Sequence, residues 1–216
     1  MRGFRLTRTK GIAQMGIIDK PYAFSDNASA QGLSIYPKTA RGHIFFIGFM
    51  GVGKTTCSTK LALRLGVPHV ELDTHIQQKA GKSIRRIFAE DGEEAFRAYE
   101  HQALCDAVAS HTPSLISCGG GVVCHTPNQA MLCSEGYCIL MEAAPKTILE
   151  RLQNNLPPLL AVDNPLERIL QLKQERQDAY ECLADWVYDT TGKTVDTVCD
   201  DLYAHILSLN SVCVSA

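Results

Sequence analysis

The clearest chemistry in this chain lies in Gly48-Phe49-Met50-Gly51-Val52-Gly53-Lys54-Thr55, which meets every fixed position of the pattern G-x-x-x-x-G-K-[ST]. Glycines at these positions let backbone N–H groups converge on a polyphosphate, because no Cβ stands in the way. A helix starting near Gly53 adds the positive end of its dipole. Lys54 is expected to reach the β- and γ-phosphates, and the Thr55 hydroxyl to bind Mg²⁺. The expected nucleotide-binding residues are Gly48, Met50, Gly51, Val52, Gly53, Lys54, Thr55 and Thr56. Further along, Glu71-Leu72-Asp73 places an acid just past an apolar run. If that run is a strand, Asp73 lies where ligands gather in open α/β sheets, and it can help Thr55 hold Mg²⁺ through water. The alternative for Asp73 is a helix N-cap.

These residues need elements to hold them. His43 to Ile47 is a short apolar run that ends at a glycine, so a buried strand is expected before the loop, and the pattern from Lys54 to Leu65 predicts a helix after it. Further strands are expected at 69–72, 114–117, 137–141 and 186–188. Helices are expected at about 93–109, 145–153, 165–183 and 195–208. Strands alternating with helices imply an α/β fold with a parallel sheet covered on both faces.

The bulk properties narrow the function classes. The chain has 216 residues, 45% hydrophobic and 20% charged, with a formal net charge of -2. That is ordinary globular composition, and nothing in it argues for general nucleic-acid binding. No apolar run approaches the ~20 residues of a membrane span. Residues 1–41 hold seven basic and two acidic residues, against 14 basic and 21 acidic in the remainder. This first segment lacks a helix or strand period and is expected to be a disordered extension. An organellar transit peptide is the alternative, because the segment contains Arg and few acids. The nine cysteines form no C-x-x-C pair and are expected to be reduced, small hydrophobes of a cytoplasmic protein rather than zinc ligands.

Beyond the loop come Gly81-Lys82-Ser83-Ile84, then Gly92-Glu93-Glu94-Ala95-Phe96-Arg97-Ala98-Tyr99-Glu100, then Ser117-Cys118-Gly119-Gly120-Gly121. Pro158-Leu159-Leu160 follows, and later Arg176 with Tyr180 four residues on. In this order the motifs resemble the shikimate kinase family across about residues 42–210. The resemblance implies one P-loop kinase domain over 42–210 with a lid at about 151–164, a tail at 211–216, and a five-stranded parallel sheet of order 2-3-1-4-5. It implies ATP-dependent phosphorylation of the 3-hydroxyl of shikimate, with ATP and Mg²⁺, by a cytoplasmic monomer. Arg97 and Arg176 are then expected to bind the substrate carboxylate, Glu100 to orient Arg97, and the backbone of Gly119, Gly120 and Gly121 to approach the substrate ring. Two planar guanidinium forks suit a carboxylate better than ammonium groups would.

Two places depart from the family pattern. Shikimate kinases carry D-x-D after the second strand, and the second Asp accepts hydrogen bonds from substrate hydroxyls. Aligned on Asp73-Thr74-His75, that second position is His75, which has fewer acceptor sites and no negative charge. The family's lid carries R-P-L-L, and here Pro157 stands in the place of the Arg. No Arg or Lys lies between Arg151 and Arg168, so Arg151 is the candidate for a catalytic cation, although the family uses an Arg near that place to stack on adenine. Lys54, Asp73 and Arg151 are thus the expected catalytic residues, and Asp73, His75, Arg97 and Arg176 the expected substrate ligands. The alternatives are a kinase of another small hydroxy acid, or a degenerate kinase fold with a nucleotide-binding or regulatory role.

Overall fold

The computed structural model describes residues 42–110 and 112–211. The expected extension over 1–41 and the tail from 212 lie outside them. Strand β1 (His43–Ile47) leads through the glycine-rich loop into α1 (Lys54–Leu65). Then come β2 (His69–Glu71), α2 (Leu72–Ala80), α3 (Ile84–Glu90), α4 (Gly92–Ala109) and β3 (Leu115–Ser117). After β3 follow α5 (Thr126–Glu135), β4 (Gly136–Glu142), α6 (Pro145–Leu152), α7 (Pro165–Leu183), β5 (Trp186–Asp189) and α8 (Val195–Ser211). The sheet is five-stranded and parallel at every pairing, in the order β2-β3-β1-β4-β5. This is the order and the fold class expected.

Every residue of β1 is buried, as a central parallel strand with helices on both faces requires. Alternation sends Ile44 and Phe46 to one core and Phe45 and Ile47 to the other. The first core packs Leu61 of α1, Ile148 of α6, and Leu202 and Ile206 of α8 onto the sheet. The second packs Leu72 and Ile76 of α2, Leu104 of α4, Leu132 of α5 and Tyr180 of α7. At ~1.5–3 kcal/mol for each large apolar side chain taken from water, this double core fixes where every strand ends. The site is built at those ends.

Three helices went unseen in the sequence. The apolar run expected to be a strand to residue 72 changes at Leu72, which opens α2. Leu72 and Ile76 are four apart and both fully buried, so the helix, not the strand, buries them. Helix α3 starts at Ser83, whose side chain accepts from Arg86 N–H as an N-cap. Helix α5 carries a proline in its first turn. Cys57, Cys118, Cys138 and Cys199 are buried as expected, whereas Cys124 and Cys182 are exposed. No helix among the described residues is long and apolar enough to cross a membrane.

Candidate active site

The loop after β1 is shaped by contacts only glycine permits. Gly48 has φ +133°, and a Cβ there would lie 2.2 Å from the Met141 carbonyl oxygen on β4. The chain then turns through Gly51 (φ 77°) and Gly53 (φ 99°) into α1. Lys54 is buried, and its Nζ donates to the Gly48 and Phe49 carbonyls, each at 2.8 Å. Burial pulls this ammonium down to about 8, although Asp73 beside it works the other way. The group is thus short of negative charge, and polyphosphate oxygens would supply it. A cavity of ≈ 270 Å³ opens over the loop, walled by Thr55, Glu71, Asp73 and the 118–120 turn.

The two carboxylates of that wall come from adjoining elements. Glu71 is the last residue of β2, and Asp73 lies in the first turn of α2. Burial, then the charge of Asp73, pushes the Glu71 carboxyl up to about 7. Asp73 is raised too, by burial, with Lys54 opposing. The Thr55 and Ser117 hydroxyl oxygens lie 3.2 Å apart, on α1 and β3. Hydroxyl and carboxylate oxygens are what Mg²⁺ prefers, and crowded carboxylates that resist ionisation fit a site completed by a divalent cation. Among the described residues no three His, Cys, Asp or Glu side chains form a self-sufficient metal site.

The assignment of His75 requires correction. Its Nε2 lies 3.0 Å from Asp106 Oδ2 on α4, and His75 lines neither the phosphate cavity nor the one beyond it. Residues two apart on a helix point some 200° apart, so Asp73 and His75, both on α2, cannot share a site. The spacing of two works only across the strand-to-helix junction. The acid-x-acid spacing that crosses this junction is Glu71-Leu72-Asp73.

Beyond Asp73 lies a second cavity of ≈ 290 Å³, which shares Met50, Asp73, Gly119 and Gly120 with the first. It contains the two arginines. Arg97 donates from Nη1 to Glu100 and from Nη2 to Glu93, each at 2.9 Å. Glu100 is fully buried, and its second oxygen has no hydrogen-bond partner among the described residues. Arg176 is 6% exposed, and no carboxylate pairs with it among the described residues. It donates to the Gly120 carbonyl at 3.1 Å, which also accepts from the Tyr180 hydroxyl at 2.5 Å. A buried guanidinium without a counter-ion is costly unless an anion is to come. The glycine turn makes room for this: a Cβ on Gly121 would lie 2.3 Å from Arg97 Nη1, and one on Gly119 would lie 3.0 Å from both Asp73 Oδ1 and Glu100 Oε1. Ile84, Phe88 and Phe96 form an apolar wall, and Pro157, Pro158 and Leu159 close the cavity.

Arg151 lies elsewhere. Its guanidinium donates to the Gly51 carbonyl (3.2 Å), Thr190 Oγ1 (3.0 Å) and the Thr190 carbonyl (2.9 Å). It lines a third cavity of ≈ 500 Å³, which shares Gly51, Gly53 and Thr56 with the phosphate cavity and no residue with the arginine pocket. The geometry therefore places Arg151 beside the loop backbone at Gly51 and away from the arginine pocket. The three cavities form a series: one at Arg151, one over the phosphate loop, one at Arg97 and Arg176. Sequence reasoning missed Glu71 as a site residue and also the Ser117 hydroxyl. Both lay inside quoted motifs, and only the places where β2 and β3 end mark them out.

A family profile described as Shikimate kinase matches residues 50–207. The shikimate kinase of Caldanaerobacter subterraneus subsp. tengcongensis is 36% identical over 170 residues, 77% of this chain and 97% of that protein. That of Enterococcus faecalis is 36% identical over 163 residues, 74% of this chain and 95% of that protein. Among solved structures, the chain is similar to shikimate kinase from Acinetobacter baumannii in complex with shikimate. The TM-score is 0.73 and the identity 29%, covering 77% of this chain and 93% of that one. Shikimate kinase from Aquifex aeolicus gives a TM-score of 0.67 at 29% identity, covering 79% of this chain and 98% of that one.

Proposed function

The chain belongs to the shikimate kinase family, and we propose that it transfers the γ-phosphoryl group of ATP to the 3-hydroxyl of shikimate. One observation carries this reading at the site: the phosphate cavity and the arginine pocket share Asp73 and Gly119 in a common wall. A hydroxyl held from the arginine side is then presented to a phosphate held from the loop side.

In this mechanism Lys54 and the loop amides hold the phosphates. Thr55, with Glu71 and Asp73, would hold Mg²⁺, and the ion would neutralise phosphate charge. Arg97 and Arg176 fix the substrate carboxylate, and Glu100 orients Arg97. Asp73 accepts the hydrogen bond of the attacking hydroxyl. As the oxygen–phosphorus bond forms, Asp73 takes the proton and ADP leaves with the electrons of the broken bond. Such a site works by positioning and charge neutralisation, since phosphoryl transfer needs little covalent chemistry from the protein. We extend the reading to a monomer acting in the cytoplasm, with residues 42–210 as its catalytic domain. The buried, small-hydrophobe role of Cys57, Cys118 and Cys199 supports a reducing compartment.

Pro157 favours a second reading. It lines the substrate cavity where the family places an arginine, and it brings no donor. A kinase of another small hydroxy acid, or a degenerate kinase fold, would tolerate that. Coupled ADP release measured with shikimate, with a panel of other cyclic hydroxy acids, and with no acceptor separates these. Release strictly dependent on shikimate is the expected result. Release with another acid alone, or with none, would overturn it.

A further inference from the structure

The buried stripe of α7 is apolar at Ile169, Leu172 and Leu183 but polar at Arg176 and Tyr180. Arg176 holds the acid in the proposed mechanism, whereas Tyr180 takes no part in it. We propose that Tyr180 is a positioning residue for the acceptor: its hydroxyl occupies the Gly120 carbonyl and so keeps the Arg176 fork free for the substrate carboxylate. The proposal rests on the reading that Arg176 binds an acid.

Positions 176 and 180 are four apart, so both side chains leave the same face of α7. They meet at one atom. The Gly120 carbonyl oxygen accepts from the Tyr180 hydroxyl at 2.5 Å and from Arg176 Nη1 at 3.1 Å. Its neighbours in the turn are satisfied locally. The Gly119 carbonyl accepts from Val122 N–H, and the Gly121 carbonyl from Cys124 N–H. Gly120 instead takes side chains from a helix 56 and 60 residues further on. The peptide it belongs to is closely placed, because a Cβ on Gly120 would lie 3.4 Å from the Met50 nitrogen and 3.6 Å from Arg176 Nη1. Gly120 lines both the phosphate cavity and the arginine pocket, so whatever fixes it bears on the junction of the two.

The hydroxyl is suited to be a fixed donor. Tyr180 is buried, and burial pushes its phenol well above the ordinary value, so it keeps its proton at neutral pH. A carbonyl oxygen has two lone pairs to offer. With Tyr180 on one, Arg176 spends a single N–H on the other and keeps the rest for an acid. The Phe49 ring, its centroid 5.8 Å from Arg176 Cζ, bounds the guanidinium on the loop side. Without the hydroxyl, the open lone pair competes with the acid for a second N–H of Arg176. A phenyl ring alone would fill the place of Tyr180 in the second core. The hydroxyl is what reaches the turn.

The test is a calorimetric titration of shikimate, and separately of Mg²⁺–ADP, into the full chain and into Tyr180→Phe, which keeps the ring. Tyr180→Phe should weaken shikimate about three- to ten-fold, the scale of one neutral hydrogen bond, and leave ADP affinity within two-fold of the wild type. Arg176→Lys supplies the second arm of a double-mutant cycle, because an ammonium has no fork to keep free. In that background Tyr180→Phe should change shikimate affinity by less than two-fold. A lower melting temperature with unchanged shikimate affinity would make the hydroxyl purely structural and overturn the proposal. An equal loss in both backgrounds would also overturn it, since the hydroxyl would then not act through Arg176. Both results leave the proposed function standing. A wild type that binds no shikimate overturns both.

Discussion

Glu71 is a carboxylate placed where its own charge is unwelcome, and that placement has a measurable sign. Its carboxyl is raised from an ordinary 4.5 to about 7 by burial and by Asp73. The native state therefore keeps a proton that the unfolded chain has already released between those values. The stability this group contributes is present below about 4.5 and lost as pH rises through about 7. Glu71→Gln removes the loss. Without nucleotide, its melting temperature should gain on the wild type as pH goes from 5 to 8, while its affinity for Mg²⁺–ADP falls. A melting difference that does not change with pH would place Glu71 outside this pair. His75 makes the contrast. Bound to Asp106 on the far side of α2, it should give a His75→Ala variant whose pH–rate profile and KM for shikimate match the wild type. A shift in either would return His75 to the site.

At the scale of elements, two loops decide the chemistry. The turn at 119–121 works only without side chains. Gly121→Ala would bring a Cβ to 2.3 Å from Arg97 Nη1, so the guanidinium must move. The KM for shikimate should rise about ten-fold or more, as for loss of one charge-assisted hydrogen bond, with the KM for ATP little changed. The proposed lid shows the opposite fault, because Pro157 brings no cation to the cavity it lines. Pro157→Arg should raise kcat about ten-fold, which needs only ~1.4 kcal/mol of added transition-state stabilisation. Arg151→Ala should raise the KM for ATP and leave that gain intact, because Arg151 is engaged at Gly51 and Thr190. If Arg151→Ala abolishes turnover while ATP still binds, Arg151 is the lid cation after all. The same scale explains what could be seen in the sequence. The apolar runs of β1 and β4 are buried on both faces and are legible without any partner. The change from strand to helix between Glu71 and Leu72 falls inside the stretch His69 to Leu72, which is too short for a change of period to mark it. That hidden junction is why the paired acids were counted from Asp73 to His75 and not from Glu71 to Asp73. The loop glycines and Lys54 were legible because their spacing is local, whereas Arg97 and Arg176 were marked only by the family resemblance. The engagement of Arg151 with Thr190 was not legible, because it joins positions 39 residues apart.

At the scale of the whole molecule, the C-terminal ends of the strands carry three cavities in series, joined at Gly51 and Thr56 on one side and at Asp73 and Gly119 on the other. The proposed two-substrate transfer uses that series as a base site, a phosphate site and an acceptor site with shared walls. Residues 42–210 are proposed to suffice for it, so removal of residues 1–41 should leave melting temperature and turnover unchanged. The most direct measurement follows the phosphorus itself. Phosphorus NMR of the enzyme with ATP, Mg²⁺ and shikimate should show one new phosphate monoester, coupled to the proton on C3 of the ring, growing in step with ADP. ADP accompanied by inorganic phosphate alone, a monoester at another position, or an unchanged ATP spectrum would contradict the transfer proposed here.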